Sequence, residues 1–222
     1  MVLSKQGIRD LYVKRAKRYD LGLKLYRLFG FRLDWYRKLA VESLSLHSGD
    51  TVIDLACGTG LNFEYLQRAV GEKGRIIGVD LTDAMLDQAR RRVAANGWLN
   101  VDLIQADLAE YSFPTEVAGI ISSYAITLVP EFDSVIRRGA EALCSNGRLA
   151  ILDFKRPDHW PEWLIGLGAW LYKPYGVSLD LAVRHPWESV NRYLHQVIFR
   201  EFYLGGLYLS VGQRATHETY AP

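Results

Sequence analysis

The sequence predicts an α/β fold in which a doubly wound, mostly parallel sheet ends in an antiparallel hairpin. Short β-branched, apolar runs alternate with helix-like segments from about residue 51 to residue 154, as is typical of parallel strands covered on both faces. Near the end of the chain, Gly205-Gly206 separates two further strand-like runs, which indicates a hairpin. With 49% hydrophobic and 23% charged residues, the 222-residue chain has globular composition, which excludes a disordered, collagen-like or coiled-coil protein.

The elements predicted within this region follow one another closely. Strands are expected at 51–56, 75–80, 101–106, 117–123 and 148–154, helices at 61–70, 83–96 and 131–145, and hairpin strands at 197–203 and 207–212. Thr82 is expected to cap the helix at 83–96 and Gly97 to end it, because threonine and glycine are favoured at these two boundaries. Asn146-Gly147 predicts a turn into the strand at 148–154.

Charge is distributed unevenly along the chain. Residues 1–38 hold 11 Lys and Arg against 3 Asp and Glu, a net charge of +8, whereas residues 39–222 hold 16 against 22, a net charge of −6. Cys57 and Cys144 are too few for a disulfide framework or a Cys-rich zinc site, and no metal is expected. The sequence shows neither the apolar core of a signal peptide nor a run of 18 apolar residues, so we expect a cytoplasmic protein without a spanning helix.

A glycine-containing loop after the first strand carries the strongest functional signal. It runs from Asp54 through Ala56, Cys57, Gly58 and Thr59 to Gly60, and glycines let the backbone approach a ligand closely. The dinucleotide pattern G-x-G-x-x-G is incomplete because residue 63 is Phe. The carboxylate of Asp54 would repel a pyrophosphate but attract an ammonium group.

Three successive strands end at a carboxylate, in Asp54, Asp80 and Asp107. Asp80 can accept hydrogen bonds from both hydroxyls of a ribose, as an acid at this strand end does in nucleotide-binding folds. Asp107 and Leu108 are suited to contact the edge and the face of an adenine ring. This ordered set predicts an adenosine ligand with a cationic amino-acid tail and no phosphates, namely S-adenosylmethionine.

At these residues the sequence resembles the class I S-adenosylmethionine-dependent methyltransferases, which have a Rossmann-like core, over about residues 50–155. Ala56 stands where the family has the first glycine of acid-x-Gly-x-Gly-x-Gly, a departure shared with ubiquinone/menaquinone-type C-methyltransferases. The resemblance implies a site in which the methionine part is lined by Asp54, Ala56, Cys57, Gly58 and Gly60, the ribose and adenine by Asp80, Leu81, Met85, Asp107 and Leu108, and the methyl group by Ser123 and Tyr124. By the same resemblance, Tyr19 is also expected to bind the cofactor.

The resemblance also divides the chain around this core. We expect one methyltransferase domain over 1–222, with basic cap helices at 1–50, the cofactor-binding core at 51–155, a substrate or lid insertion at 156–195 and a closing hairpin at 196–214. The flanks are expected to select the methyl acceptor, because methyl transfer mainly requires the protein to align the acceptor and exclude water.

Both flanks have a composition that is found in segments that bind membranes. The N-terminal arm combines its charges with tyrosines and with Leu21, Leu25 and Leu28 at helical spacing, which predicts a helix able to lie on an anionic membrane surface. A capping helix with solvated charges is the alternative. Residues 159–195 hold four of the six Trp, which is typical of a membrane interface, an acyl-chain groove or a buried cover.

Short matches outside the loop indicate an acceptor class. Tyr19-Asp20 resembles a pair in quinone- and lipid-type methyltransferases, 123–130 and 151–154 resemble the fourth and fifth strand ends of betaine-lipid (diacylglyceryl-homoserine) N-methyltransferases, and 202–206 resembles the lipid methyltransferase group. Within the family, the chain is thus most similar to betaine-lipid or phosphatidylethanolamine N-methyltransferases. By that resemblance the acceptor is the amine of a lipid headgroup, methylated by a peripherally membrane-associated protein. Tyr19 and Tyr124 would then act catalytically by placing the amine near the sulfonium, and further substrate contacts are expected from Tyr175, Arg184, His185 and Tyr203.

Two other functions remain open. C- or O-methylation of a hydrophobic small molecule, such as a polyprenyl quinone precursor, would favour a general base, for which His185 and His195 are the candidates by sequence. A nucleic-acid methyltransferase could use the basic arm. However, the fourth strand ends in Ser-Tyr-Ala-Ile rather than the Asn/Asp-Pro-Pro-aromatic motif of base-amine methyltransferases, so no nucleic-acid partner is expected.

Overall fold

The computed structural model describes residues 5–16, 19–20, 32–157, 160–161, 163, 165–166 and 179–216. The strands of this part are β1 (Thr51–Leu55), β2 (Arg75–Asp80), β3 (Val101–Gln105), β4 (Val117–Ser123), β5 (Leu143–Phe154), β6 (His195–Phe202) and β7 (Leu207–Gln213). The α-helices are α1 (Lys5–Arg15), α2 (Leu33–Ser43), α3 (Phe63–Val70), α4 (Asp83–Asn96), α5 (Phe132–Ala142) and α6 (Pro186–Tyr193), and two 3-10 turns cover Ile126–Leu128 and Leu179–Val183.

The strands form one sheet in the order β3-β2-β1-β4-β5-β7-β6. Strands β1 to β5 pair in parallel, whereas β7 is antiparallel to both β5 and β6. The predicted fold class is therefore confirmed. The direction of winding changes between β1 and β4, and in open α/β sheets such a change opens a crevice at the carboxyl ends of the strands.

The predicted and the observed boundaries of the elements agree best where the local sequence signals are strongest. The structure places β2, β4 and α4 at the predicted residues, and Gly97 ends α4 with a positive φ of 67°. β5 begins at Leu143 rather than residue 148, because Asn146-Gly147 forms an irregularity inside the strand rather than a turn before it. Thr82 precedes α4 in an extended conformation, but its side chain makes no capping hydrogen bond.

Alternate residues of each strand face opposite sides of the sheet, and both sides are buried. On one side, Ile53 and Ile120 pack against helices α5 and α6. On the other, Val52 and Ile121 pack in a cluster with residues of α2, α3 and α4. Burial on both faces is why the strands have continuous apolar runs rather than alternating ones.

The arm and the Trp-rich segment are described only in part. α1 packs against α4, while Leu21, Leu25, Leu28 and Tyr175 lie outside the described residues. Within the described ranges, no helix combines the length and the apolar composition needed to cross a bilayer.

Candidate active site

A cleft with about 920 Å³ of empty space, part of it open to solvent, lies at the carboxyl ends of β1 to β4. It brings together most of the side chains that the sequence predicts to hold a ligand. These are Tyr19, Ala56, Cys57, Gly58, Asp80, Leu81, Met85, Asp107, Leu108, Ser123 and Tyr124. The cleft is thus built from the segments that follow four separate strands, together with described residues of the N-terminal arm.

The loop after β1 has a left-handed backbone at three positions. The φ angles are 52° at Ala56, 56° at Gly58 and 76° at Gly60. A Cβ atom on Gly60 would lie 2.5 Å from the ring of Phe63, which is completely buried, so only glycine fits there. Ala56 adopts the conformation that glycine prefers, which explains why the resembling family usually has glycine at this position.

Asp80 at the end of β2 holds the loop in place. One carboxylate oxygen accepts the backbone N–H of Gly58 (2.8 Å) and the other accepts that of Thr82 (2.8 Å). Burial raises the pKa of Asp80, and these two N–H donors oppose the rise. Since a carboxylate oxygen can accept more than one hydrogen bond, Asp80 can hold the loop and still receive hydroxyls from a ligand in the cleft.

Asp54 does not line the cleft but lies directly behind it. It is completely buried, and its Oδ1 accepts a hydrogen bond from the side-chain amide of Asn62 (2.9 Å), a residue that does line the cleft. The Oδ2 atom is buried without a hydrogen-bond partner. Burial raises the pKa of Asp54 to about 7, although Asn62 and the positive charge of Arg37 partly oppose it.

Arg37 on α2 is a cleft residue that the sequence analysis did not select. Arg37 is 5% exposed, and its guanidinium donates to Oδ1 of Asn62 (3.1 Å) and lies 4.7 Å from the centre of the Tyr124 ring. Its Nε has no hydrogen-bond partner. A buried guanidinium with an unused donor is costly, and in this position it is suited to an anionic group of a ligand.

Lys5 on α1 joins the N-terminal arm to the far end of the cleft. Its ammonium lies 2.8 Å from a carboxylate oxygen of Asp107 and 3.0 Å from one of Glu131. Burial alone would raise the pKa of Asp107, but Lys5 and the backbone N–H of Ala109 hold it below its ordinary value. Lys5 of the arm therefore forms ion pairs with acidic residues of this protein itself.

The Tyr19-Asp20 pair makes a second contact between the arm and the glycine loop. Asp20 accepts a hydrogen bond from the Thr59 hydroxyl (2.7 Å) and forms an ion pair with Arg92 (2.5 Å). The Nε of Arg92 also donates to the backbone carbonyl of Thr59 (2.8 Å). Asp20 thus ties the arm to the loop, while Tyr19 lines the cleft.

Two tyrosines of the cleft have phenol groups that stay neutral. Burial raises the pKa of Tyr19 and of Tyr124 above the ordinary range. Tyr124 has a positive φ of 60°, and its hydroxyl donates to the backbone carbonyl of Leu33 at the start of α2 (3.1 Å). Both rings can position a ligand, but neither hydroxyl is a strong base near neutral pH.

Among the described residues, the other predicted substrate contacts and candidate bases are not brought into the cleft. Arg184 donates to the carbonyl of Thr127 (2.7 Å), and the ring nitrogens of His185 lie 3.0 Å from Glu188 and 3.1 Å from the carbonyl of Ala182. The Tyr203 hydroxyl accepts the backbone N–H of Arg32 (3.1 Å). None of Arg184, His185, His195 or Tyr203 is among the described residues that line the cleft.

Three polar residues of the cleft that were not predicted, Asn62, Lys5 and Arg37, differ in whether the sequence held a signal for them. Asn62 follows the glycine loop, so its closeness in sequence to Asp54 was a usable signal. Lys5 and Arg37 offered no local signal, because they are two among the 11 basic residues of the first 38.

The sequence of this chain is similar to those of known methyltransferases. The profile of the methyltransferase domain family matches residues 52–147. The chain is 30% identical to 2-phytyl-1,4-naphtoquinone methyltransferase of Thermosynechococcus vestitus, over 84% of each protein. It is also 30% identical to the ubiquinone/menaquinone biosynthesis C-methyltransferase UbiE of Serratia proteamaculans, over 68% of this chain and 60% of that protein.

Among solved structures, the fold resembles phosphoethanolamine N-methyltransferase 2 of Haemonchus contortus in complex with S-adenosylhomocysteine. The TM-score is 0.67 at 16% identity, and the match covers 97% of this chain and 61% of the other. At that identity the likeness supports the fold alone.

Proposed function

Because the chain belongs to the class I S-adenosylmethionine-dependent methyltransferases, we propose that it transfers a methyl group to a ring carbon of a hydrophobic, quinone-type acceptor. The chain is a methyltransferase, and S-adenosylmethionine is its cofactor. The observation that carries the choice of acceptor is the similarity to 2-phytyl-1,4-naphtoquinone methyltransferase along 84% of both proteins. This favours the alternative from the sequence analysis over a lipid headgroup amine.

The residues of the cleft fit this cofactor from end to end. Asp107 and Leu108 suit the adenine, and Asp80 suits the ribose hydroxyls. Near the glycine loop, the buried carboxylate of Asp54 supplies negative charge behind Asn62, which favours a cationic ammonium group in the cleft. When bound, S-adenosylmethionine supplies an activated methyl group on a sulfonium.

Arg37 completes the fit at the amino-acid end of the cofactor. The cofactor carries an α-carboxylate beside its α-ammonium, so its tail needs a cation as well as an anion. Arg37 lies 3.1 Å from Asn62, which in turn lies 2.9 Å from Asp54, and its Nε has no partner. We assign the carboxylate to this guanidinium.

Replacing Arg37 by Gln should test that assignment. We expect S-adenosylmethionine to bind about ten- to a hundredfold more weakly, because a charge-assisted hydrogen bond contributes about 1.5–3 kcal/mol. Decarboxylated S-adenosylmethionine, which lacks the carboxylate, should bind the variant and the parent protein equally well in calorimetry. An equal loss for both ligands would contradict the assignment.

The other wall of the cleft suits an apolar, aromatic acceptor. Tyr19, Tyr124, Leu128 and Val129 line it, and the Tyr124 ring also packs against Phe154 at 5.2 Å. These side chains can align a flat ring with the methyl group and exclude water, which are the main tasks of the protein in this reaction. The neutral phenols of Tyr19 and Tyr124 act here by positioning.

A lipid headgroup amine has less support as the acceptor. The solved N-methyltransferase that resembles this fold is only 16% identical, and the curated relatives described above are named for quinone methylation. Membrane association and the acceptor are separate questions, because a prenylated quinone precursor is itself lipid-soluble.

The acceptor can be identified with methyl-labelled S-adenosylmethionine. The purified protein is offered, in detergent, prenylated naphthoquinol and benzoquinol precursors in one reaction and phosphatidylethanolamine and diacylglyceryl-homoserine in another. We expect the label on a ring carbon of a quinol, identified by mass spectrometry and carbon NMR, and no label with the Asp80→Ala variant. Label found only on a headgroup nitrogen would overturn the proposal.

A further inference from the structure

Apolar side chains project from one corner of the sheet, outside the cleft. Trp35 on α2 is 50% exposed, and Leu204 in the turn between β6 and β7 is 81% exposed. The Trp35 ring contacts Phe202 edge-on at 6.4 Å, and the backbone N–H of Arg32 donates to the Tyr203 hydroxyl. These five residues join the start of α2 to the hairpin turn, and we call them the corner patch.

The backbone of the turn keeps Leu204 directed outward. The φ angles are 51° at Tyr203, 53° at Leu204 and 89° at Gly205, so two side-chain-bearing residues adopt a conformation that they rarely use. Backbone N–H groups of Gly205 and Gly206 close the turn on the carbonyls of Phe202 and Tyr203. Leu204 is therefore held in a strained conformation with its side chain in solvent, and such strain is concentrated at functional sites.

Positive charge borders the patch. Arg32 is exposed at the start of α2, and Arg200 is exposed on β6, two residues before Phe202 and therefore on the same face of the strand. Asp34 is exposed nearby, whereas Glu201 is paired with a lysine at 2.6 Å. Among the described residues of this corner, the two arginines leave a surplus of positive charge around an apolar centre.

The corner patch lies at the same edge of the sheet as the cleft. Leu207, the first residue of β7, pairs with Phe154 at the carboxyl end of β5, so the hairpin turn is at that end. α2 continues from Trp35 to Arg37, which lines the cleft, and the Leu33 carbonyl accepts the hydroxyl of Tyr124 from the cleft wall.

We propose that the corner patch docks the protein on an anionic lipid bilayer, with Trp35 and Leu204 entering the interface and Arg32 and Arg200 meeting lipid phosphates. Tryptophan, leucine and arginine in this arrangement suit the water–lipid boundary. The corner patch has five residues, whereas a stable protein interface has roughly 20–30 residues on each side. The purpose of docking rests on the proposed function, because a lipid-soluble acceptor would then reach the cleft from the membrane.

The Leu204→Asp variant tests the apolar part of the patch. Aspartate tolerates a positive φ, so the turn should keep its shape, and circular dichroism verifies the fold. We expect binding to vesicles of phosphatidylcholine and phosphatidylglycerol, measured by flotation, to fall roughly tenfold or more. The matched control is Leu99→Asp, since Leu99 is 100% exposed but precedes β3 at the opposite edge of the sheet.

The Arg32→Glu/Arg200→Glu double variant tests the charged part. It should lose binding to the anionic vesicles, and added salt should weaken the binding of the parent protein. Equal binding by the Leu204→Asp and Leu99→Asp variants would overturn the proposal. So would a parent protein that ignores vesicles but forms a dimer that Leu204→Asp dissociates, as measured by light scattering.

Flotation uses neither acceptor nor cofactor, so its result is independent of the quinone assignment. In the activity assay, Leu204→Asp should methylate an acceptor in detergent at the parental rate and an acceptor embedded in vesicles more slowly. An equal loss in both assays would show a structural effect and would contradict docking.

Discussion

Replacing Asp80 by alanine is expected to weaken S-adenosylmethionine binding about ten- to a hundredfold in calorimetry. Asp80 is placed to receive ribose hydroxyls, and hydrogen bonds to a charged acceptor contribute about 1.5–3 kcal/mol. The substitution also leaves the backbone N–H groups of Gly58 and Thr82 without their present acceptor. The loop that shapes the methionine end of the cleft would lose its support, which adds to the effect.

Two further variants separate these contributions. Asp80→Asn keeps one acceptor oxygen of the same shape, so it should lose less affinity than Asp80→Ala. Asp87→Ala removes an exposed carboxylate of α4 that is paired with Arg90 at 2.5 Å, and it should leave the affinity unchanged. Unaltered binding by Asp80→Ala would refute the assignment of Asp80 to the ribose.

Cofactor affinity is expected to depend on pH through Asp54. Burial raises the pKa of this carboxyl to about 7 in the protein without ligand, so a proton occupies it increasingly as the pH falls below 7. A cationic tail in the cleft favours the ionised form, so binding should release that proton. The affinity should therefore fall by as much as about tenfold per pH unit below pH 7, and in the Asp54→Asn variant this dependence should be absent.

The same carboxyl predicts the pH dependence of stability without ligand. The pKa of Asp54 is about 7 in the folded protein, against an ordinary value of 3.8 for an aspartate side chain. Between these values the folded state holds more protons than the unfolded state, so the free energy of unfolding should decrease as the pH rises from about 4 to 7. Asp153, whose pKa burial raises to about 6, acts in the same direction.

Denaturant titrations at several pH values provide the measurement. The Asp54→Asn variant should show a shallower decline than the parent protein, with the remaining slope due in part to Asp153. A decline as steep as that of the parent protein would show that Asp54 is not the responsible group. Circular dichroism of the variant at pH 7 confirms that the comparison is made on folded protein.

Much of the core could be predicted from the sequence because its signals are local. A buried parallel strand is a short apolar run, so β2 and β4 were expected at their observed residues. The loop from Asp54 to Gly60 and the acids at the ends of β2 and β3 are separated by regular βα units. That spacing brings them to one edge of the sheet whatever the details of packing.

The flanks depend on contacts that local patterns do not encode. His185 was a reasonable candidate base by residue type, but its ring is engaged by Glu188 and the Ala182 carbonyl away from the cleft lining. The basic arm was expected either to lie on an anionic membrane or to form a capping helix with solvated charges. In its described part, Lys5 forms ion pairs with Asp107 and Glu131 of this same protein, residues that are more than 100 positions away in the chain.

By itself the sequence determined the fold class, the glycine loop and the three carboxylates that indicate the cofactor. Only the tertiary structure decided that Arg37 faces Asn62 beside the buried Asp54, and that Trp35 and Leu204 share one exposed corner. The physical reason is the range of the interactions. Strand periodicity and loop chemistry act over a few residues, whereas the docking of α2 against β4 and the hairpin joins segments that are far apart in the chain.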